Sequence, residues 1–161
     1  MVNEATFKAL VLAIANHPAV QQLGRTKLWK LIYFIDAAML RQCGQTITHS
    51  DYIRYEHGPV PRRGEKIIKA MNKQGAISVN QMIYAGHEMA MVSAVGEGPK
   101  GHFSREASAV IDRICRSMGG HTAKFLSELS HQEPAWLNAG HLDKLDPVLI
   151  AYGSSEDSEG L

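Results

Sequence analysis

Thr26-Lys27-Leu28-Trp29-Lys30-Leu31-Ile32-Tyr33-Phe34-Ile35-Asp36 is the stretch whose reading decides the fold. The periodicity predicts a helix from about Thr26 to Cys43, stopped by Gly44 as a left-handed C-terminal cap. Leu28, Trp29, Leu31, Ile32, Phe34, Ile35, Met39 and Leu40 distribute around nearly the whole cylinder. A helix apolar on all sides has to be wrapped by other elements, so it is expected at the centre. Lys27, Lys30, Arg41 and Gln42 fall on what reads as a single polar edge. Asp36 lies opposite, flanked by Trp29, Ile32, Tyr33 and Leu40. A carboxylate there requires a hydrogen-bond or charge partner, and Tyr55, His57 and Arg54 are the candidates.

Working outward, Asn3 caps a first helix whose Phe7, Leu10, Val11 and Ile14 share one face, and His17-Pro18 ends it. After the central helix, Tyr52-Ile53-Arg54-Tyr55 reads as a short strand. Gly58-Pro59 is expected to break it, with Pro61 as the first residue of a third helix. Two strands, about 76–84 and 89–95, are expected to form a hairpin through 85–88. Ser104 caps a fourth helix with the cleanest amphipathic stripe in the chain, Ala107, Val110, Ile111, Ile114, Cys115 and Met118. A shorter helix follows near 122–129. Pro134, Trp136 and Leu137 then suggest a buried turn, and Asp146-Pro147 a last short helix. The reading is a single α+β domain over residues 1–152, mostly helical, with a small antiparallel sheet or hairpin. The acidic stretch 153–161 lacks apolar anchors and is expected to be disordered.

Composition narrows the function classes. A chain of 161 residues is long enough to bury a core. Seventeen basic against 16 acidic residues give no electrostatic case for non-specific binding to nucleic acid or to a membrane surface. Cys43 and Cys115 are isolated and read as buried free thiols of a reducing compartment. No run is long enough to span a membrane, and 1–4 lacks the basic start of a signal peptide, so the expected location is the cytoplasm.

Catalytic and cofactor patterns fail one by one. Gly96-Glu97-Gly98-Pro99-Lys100-Gly101 matches a dinucleotide fingerprint, but no second parallel strand follows and Pro99 removes an N–H that would cradle a phosphate. His87-Glu88 starts a zinc motif whose second histidine is Met91. No G-x-S-x-G is present, and Ser127-Glu128 and Ser130-His131 read as helix-end residues. No catalytic residue, metal or cofactor is expected. Helix, strand, basic helix and hairpin in that order leave a winged-helix DNA-binding regulator as the alternative, with Arg62, Arg63, Lys66, Lys69 and Lys73 on the recognition face and Glu65 counting against it.

The motifs in register resemble the Panacea domain family, which includes SocA-like antitoxins and phage-associated adaptors. Thr26 to Asp36 is similar to the family's opening helix, and Gly44 to Thr48 to its turn into the strand. Tyr55-Glu56-His57-Gly58-Pro59-Val60-Pro61 resembles its Gly-Pro-Val element, and Leu129-Ser130-His131 with Glu133, Pro134 and Trp136 its closing segment. The resemblance implies toxin neutralisation by protein–protein binding. The implied partner is a cognate toxin, with hand-over to a protease or chaperone as one route. The motif residues Lys27, Tyr33, Asp36, Tyr55, His57, Gly58, Pro59, Val60, His131 and Trp136 are then the candidates for partner contact, the plain alternative for each being packing. Asp36, Tyr33, Tyr55, His57 and His131 are where a polar cluster is expected to converge. A binding protein calls for an exposed apolar patch, an enzyme for a cleft with at least two perturbed ionisable groups.

Overall fold

The computed structural model describes residues 2–153. The acidic stretch expected from 153 therefore lies outside the described residues beyond Gly153 itself. Helix α1 (Glu4–Asn16) is followed by α2 (Arg25–Cys43), the strands β1 (Tyr52–Tyr55) and β2 (Gly58–Pro61), and α3 (Gly64–Lys73). The hairpin β3 (Ile77–Tyr84) and β4 (His87–Ala94) comes next, then α4 (Arg105–Met118), α5 (Ala123–Ser130), α6 (Pro134–Leu137) and α7 (Pro147–Tyr152). The class is α+β, mostly helical, with two separate two-stranded antiparallel sheets.

The all-round apolar helix is central as its pattern requires. Every residue from Lys27 to Met39 is buried. Helices α1, α4, α5 and α7 and the strands β2 and β4 all pack around α2. Gly44 caps it at φ 75°, in the left-handed region. Lys27 and Lys30 depart from expectation: they are buried, and α2 reaches the surface only at its ends, at Arg25 and Thr26 and again from Leu40 to Cys43. Cys43 is accordingly exposed rather than buried, while Cys115 sits in the core under the α4 stripe. The caps at Asn3, Ser104 and Asp146 all form as read.

Gly58-Pro59-Val60-Pro61 is a strand, not a break followed by a helix. It pairs with β1 in the register Tyr52↔Pro61 and Tyr55↔Gly58, so Glu56-His57 is the turn. The prolines are tolerated for a reason outside the local sequence. Arg54 and Tyr52, which face Pro59 and Pro61, direct their backbone bonds the other way. The Arg54 N–H donates to the Asp143 carbonyl at 3.0 Å, and the Arg54 and Tyr52 carbonyls accept from Leu142 and Leu145. Each proline thus occupies a non-hydrogen-bonded pair, where its missing N–H costs nothing. Helix α3 begins later, at Gly64, where a Cβ would lie 2.8 Å from the Trp29 ring.

The β3–β4 turn is also tighter than expected. Ala85 and Gly86 alone form it, both at positive φ, and β4 starts at His87. The segment 134–137 is a short helix rather than a buried turn. Ala135 is buried, Trp136 partly so, and Leu137 exposed.

Candidate functional site

Lys27, Lys30 and Tyr33 follow one another at three-residue steps on α2, and each places a polar tip inside the molecule. The Lys27 ammonium donates to the carbonyls of Gly119 and Gln21, tying the start of α2 to the end of α4, and burial lowers its pKa. The Tyr33 hydroxyl donates to Glu133 Oε1 at 3.2 Å. Between them Lys30, 1% exposed, donates through Nζ to the Pro59 carbonyl at 2.8 Å. Desolvation pushes the Lys30 amine down to about 7.

Gly58 exists to admit that amine. Its φ is +116°, which disfavours any side chain. A Cβ there would lie 2.4 Å from Ser130 Oγ and 2.7 Å from Lys30 Cε. Pro59 then presents its carbonyl to Lys30, and Val60 packs against the core. The Gly-Pro-Val element is therefore a cradle for a buried lysine from the central helix.

Asp36 is fully buried, and its partners are not those expected. Tyr52 donates its hydroxyl at 2.6 Å and Thr48 its hydroxyl at 2.5 Å, while the N–H groups of Ile47 and Thr48 donate at 2.7 and 3.2 Å. Tyr55, His57 and Arg54 take no part. Burial raises the Asp36 pKa, and these hydrogen bonds oppose that rise. The network pins the loop after α2 to the core and meets Tyr33 through the edge-to-face contact of the Tyr52 ring, with centroids 5.2 Å apart. The expected convergence of Asp36 with Tyr55, His57 and His131 does not occur.

His131 caps α5 and stacks on Trp136, with ring centroids 4.1 Å apart at 24°. The Arg54 guanidinium lies 3.7 Å from the centre of the Trp136 ring and donates to the carbonyls of Trp136 and Ala139. The His131 pKa is lowered by desolvation, then by the charges of Lys30, Arg54 and His57, with Glu128 opposing. His57, at the β1–β2 turn, is exposed and stands between two grooves. One of about 560 Å³ runs past Gly24, Lys27, Met89, Lys124 and His131. The other, of about 390 Å³, runs past Trp29, Lys30, Tyr55 and Pro61. Thr26 and His57 line both.

Lys30, Arg54, Ser130 and Glu133 were not among the candidates for partner contact. Lys30 reads as part of the polar edge of α2, and its acceptor, the Pro59 carbonyl, lies 29 residues away in the chain. Lys27 and His131 supply two perturbed ionisable groups at the larger groove, with Lys30 on the smaller one, but no nucleophile–base pair accompanies them. Ser130 Oγ donates to the Ser127 carbonyl, and the described residues hold no cluster of three metal-ligating side chains.

A family model, antitoxin SocA-like, Panacea domain, matches residues 28–137. The chain belongs to the SocA-like Panacea-domain family. In Panacea terms, the matched span opens on the central helix and closes on α6, so it holds Lys30, the Gly-Pro-Val cradle and the His131–Trp136 stack. No curated protein and no solved structure matches the chain. Among the described residues, no helix is long and apolar enough to cross a membrane.

Proposed function

We propose that this Panacea-domain protein is an antitoxin that neutralises a cognate toxin by direct protein–protein binding. Family membership over 28–137 is the observation that carries the reading. The surface is consistent with it. Tyr55 and Phe125 are each 45% exposed, and Leu137, Leu142, Val148 and Tyr152 are exposed near the C-terminal end. Large apolar groups left in water are what a protein partner removes. The chain acts by binding and not by catalysis, and hand-over of the bound toxin to a protease or chaperone is compatible with that.

The DNA-binding alternative keeps Arg62, Lys66, Lys69 and Lys73 exposed on α3 and its approach, but part of that face carries acids. On the basic face Arg63 pairs with Glu4 at 3.1 Å, and Glu65 engages Arg25 at 2.5 Å. The test is co-expression. The product of the adjacent gene is expressed alone and then with this chain, scoring growth and co-purification. Restored growth with a co-purifying complex is the expected result. Toxicity without rescue refutes the reading, and a salt-dependent mobility shift with DNA would put the regulator in its place.

A further inference from the structure

One wall of the larger groove is a strand edge. Glu88, Met89 and Ala90 of β4 line it in unbroken succession. Side chains of a strand alternate between the two faces of its sheet, so three residues in a row line a groove only where the strand turns its edge to it. Opposite stands α5, whose Ala123, Lys124, Ser127, Glu128 and the capping His131 repeat at helical spacing along one face.

The hairpin register fixes what that edge offers. Ala85 and Gly86 close the turn, so Tyr84 and His87 form a hydrogen-bonded pair, and every second pair after them does the same. Glu88, Ala90 and Val92 fall in between, with their main-chain groups directed away from β3. Val92 confirms the alternation, because its N–H donates to the Leu23 carbonyl at 2.8 Å. Gly24 bridges antiparallel to Met91, and a Cβ on it would lie 3.9 Å from the Ala90 carbonyl. The chain thus lays residues 23–24 beside β4 for one step and then turns into α2 at Arg25. Past that step, the N–H groups of Glu88 and Ala90 and the Glu88 carbonyl take no hydrogen bond among the described residues.

A helix cannot complete this edge, since its main-chain groups are spent internally and its width with side chains is about 10 Å. Charge does not select an occupant either, because Glu88 and Glu128 share the groove with Lys124 and His57. An extended chain carries the matching donors and acceptors whatever its side chains. We propose that the groove receives an extended segment of the protein partner, which adds to β4 as a third strand beyond the point where residues 23–24 leave it. The proposal rests on the partner-binding reading and names the form in which the partner enters. A stretch of about three residues, roughly 10 Å long, spans 88–90. Met89 and Ala123 then lie within reach of its side chains.

The test uses the full chain and two capped tetrapeptides of alternating valine and threonine, one of them N-methylated at every amide so that it cannot pair. NMR follows the backbone amides. The unmethylated peptide is expected to give saturable shifts at Glu88, Ala90 and the groove face of α5. At about ten times its dissociation constant it should slow exchange of the Ala90 amide about tenfold. The methylated peptide should do neither. Ala90→Pro removes an outward N–H that the β3–β4 ladder does not use, and Ala123→Arg fills the groove from the far wall; each should abolish the response. Gln81 and Ile83, open positions on the outer edge of β3, line neither groove and serve as the control. No shift at Glu88 and Ala90, equal responses to the two peptides, or equal shifts at Gln81 and Ile83 overturn the proposal. Because no toxin enters this experiment, its failure leaves the partner-binding reading standing, whereas failed co-purification removes that reading.

Discussion

Replacing Lys30 by methionine isolates the cost of burying an unpaired amine in the core. The amine titrates near 10.5 in the unfolded chain and at about 7 in the fold, where desolvation disfavours its charge. Between those values the unfolded state binds more protons, so wild-type stability must rise with pH across that window. The full gap of about three and a half pH units corresponds to about 5 kcal/mol, and the part between pH 7 and 9 to about 3 kcal/mol. Lys30→Met removes the titrating group while keeping most of its volume. It also leaves the Pro59 carbonyl without its donor, at a cost of about 1–3 kcal/mol that does not vary with pH. The informative quantity is therefore the slope and not the offset. Denaturant unfolding from pH 6.5 to 9 should show wild type gaining about 3 kcal/mol relative to the variant. Parallel pH profiles for the two proteins would refute the account of Lys30 as a depressed, desolvated amine.

Gly58→Ala should destabilise by about 2–4 kcal/mol, because it strains a backbone at φ +116° and sets a Cβ 2.4 Å from Ser130 Oγ. Chemical denaturation measures this, and a loss under about 0.5 kcal/mol would contradict the cradle. Asp36→Asn should cost about 2–4 kcal/mol, since an amide turns a donor towards groups that themselves donate, whereas Tyr52→Phe should cost about 1–2 kcal/mol by removing one of four bonds. Equal losses from the two substitutions, compared by thermal unfolding, would show that the carboxylate is not the hub.

The central helix was legible because its apolar residues leave no direction for solvent, and α4 because its stripe repeats at helical spacing. The caps at Asn3, Ser104 and Asp146 were legible because each needs only the residue and its next turn. Gly58-Pro59-Val60-Pro61 was misread because two prolines in a strand are acceptable only when the opposite residues bond elsewhere. Here the acceptable partner is Leu142 to Leu145, some eighty positions away. The burial of Lys27 and Lys30 depended on carbonyls at Gly119 and Pro59, likewise beyond local pattern. Of the proposed cluster, His57 and His131 do flank one groove, yet Asp36 turned to Tyr52 and Thr48. An aspartate inside a helix signals that a partner is required but not which neighbour of the fold supplies it. The stack of Arg54, Trp136 and His131 joins positions more than seventy residues apart, with no periodicity to announce it.

The direct measurement is the affinity of the purified chain for the product of the adjacent gene, by titration calorimetry on both folded proteins. Saturable binding that runs in step with loss of the toxin's effect on growth is the expected result. A folded, toxic neighbour that releases no heat and elutes separately from this chain would contradict neutralisation by direct binding.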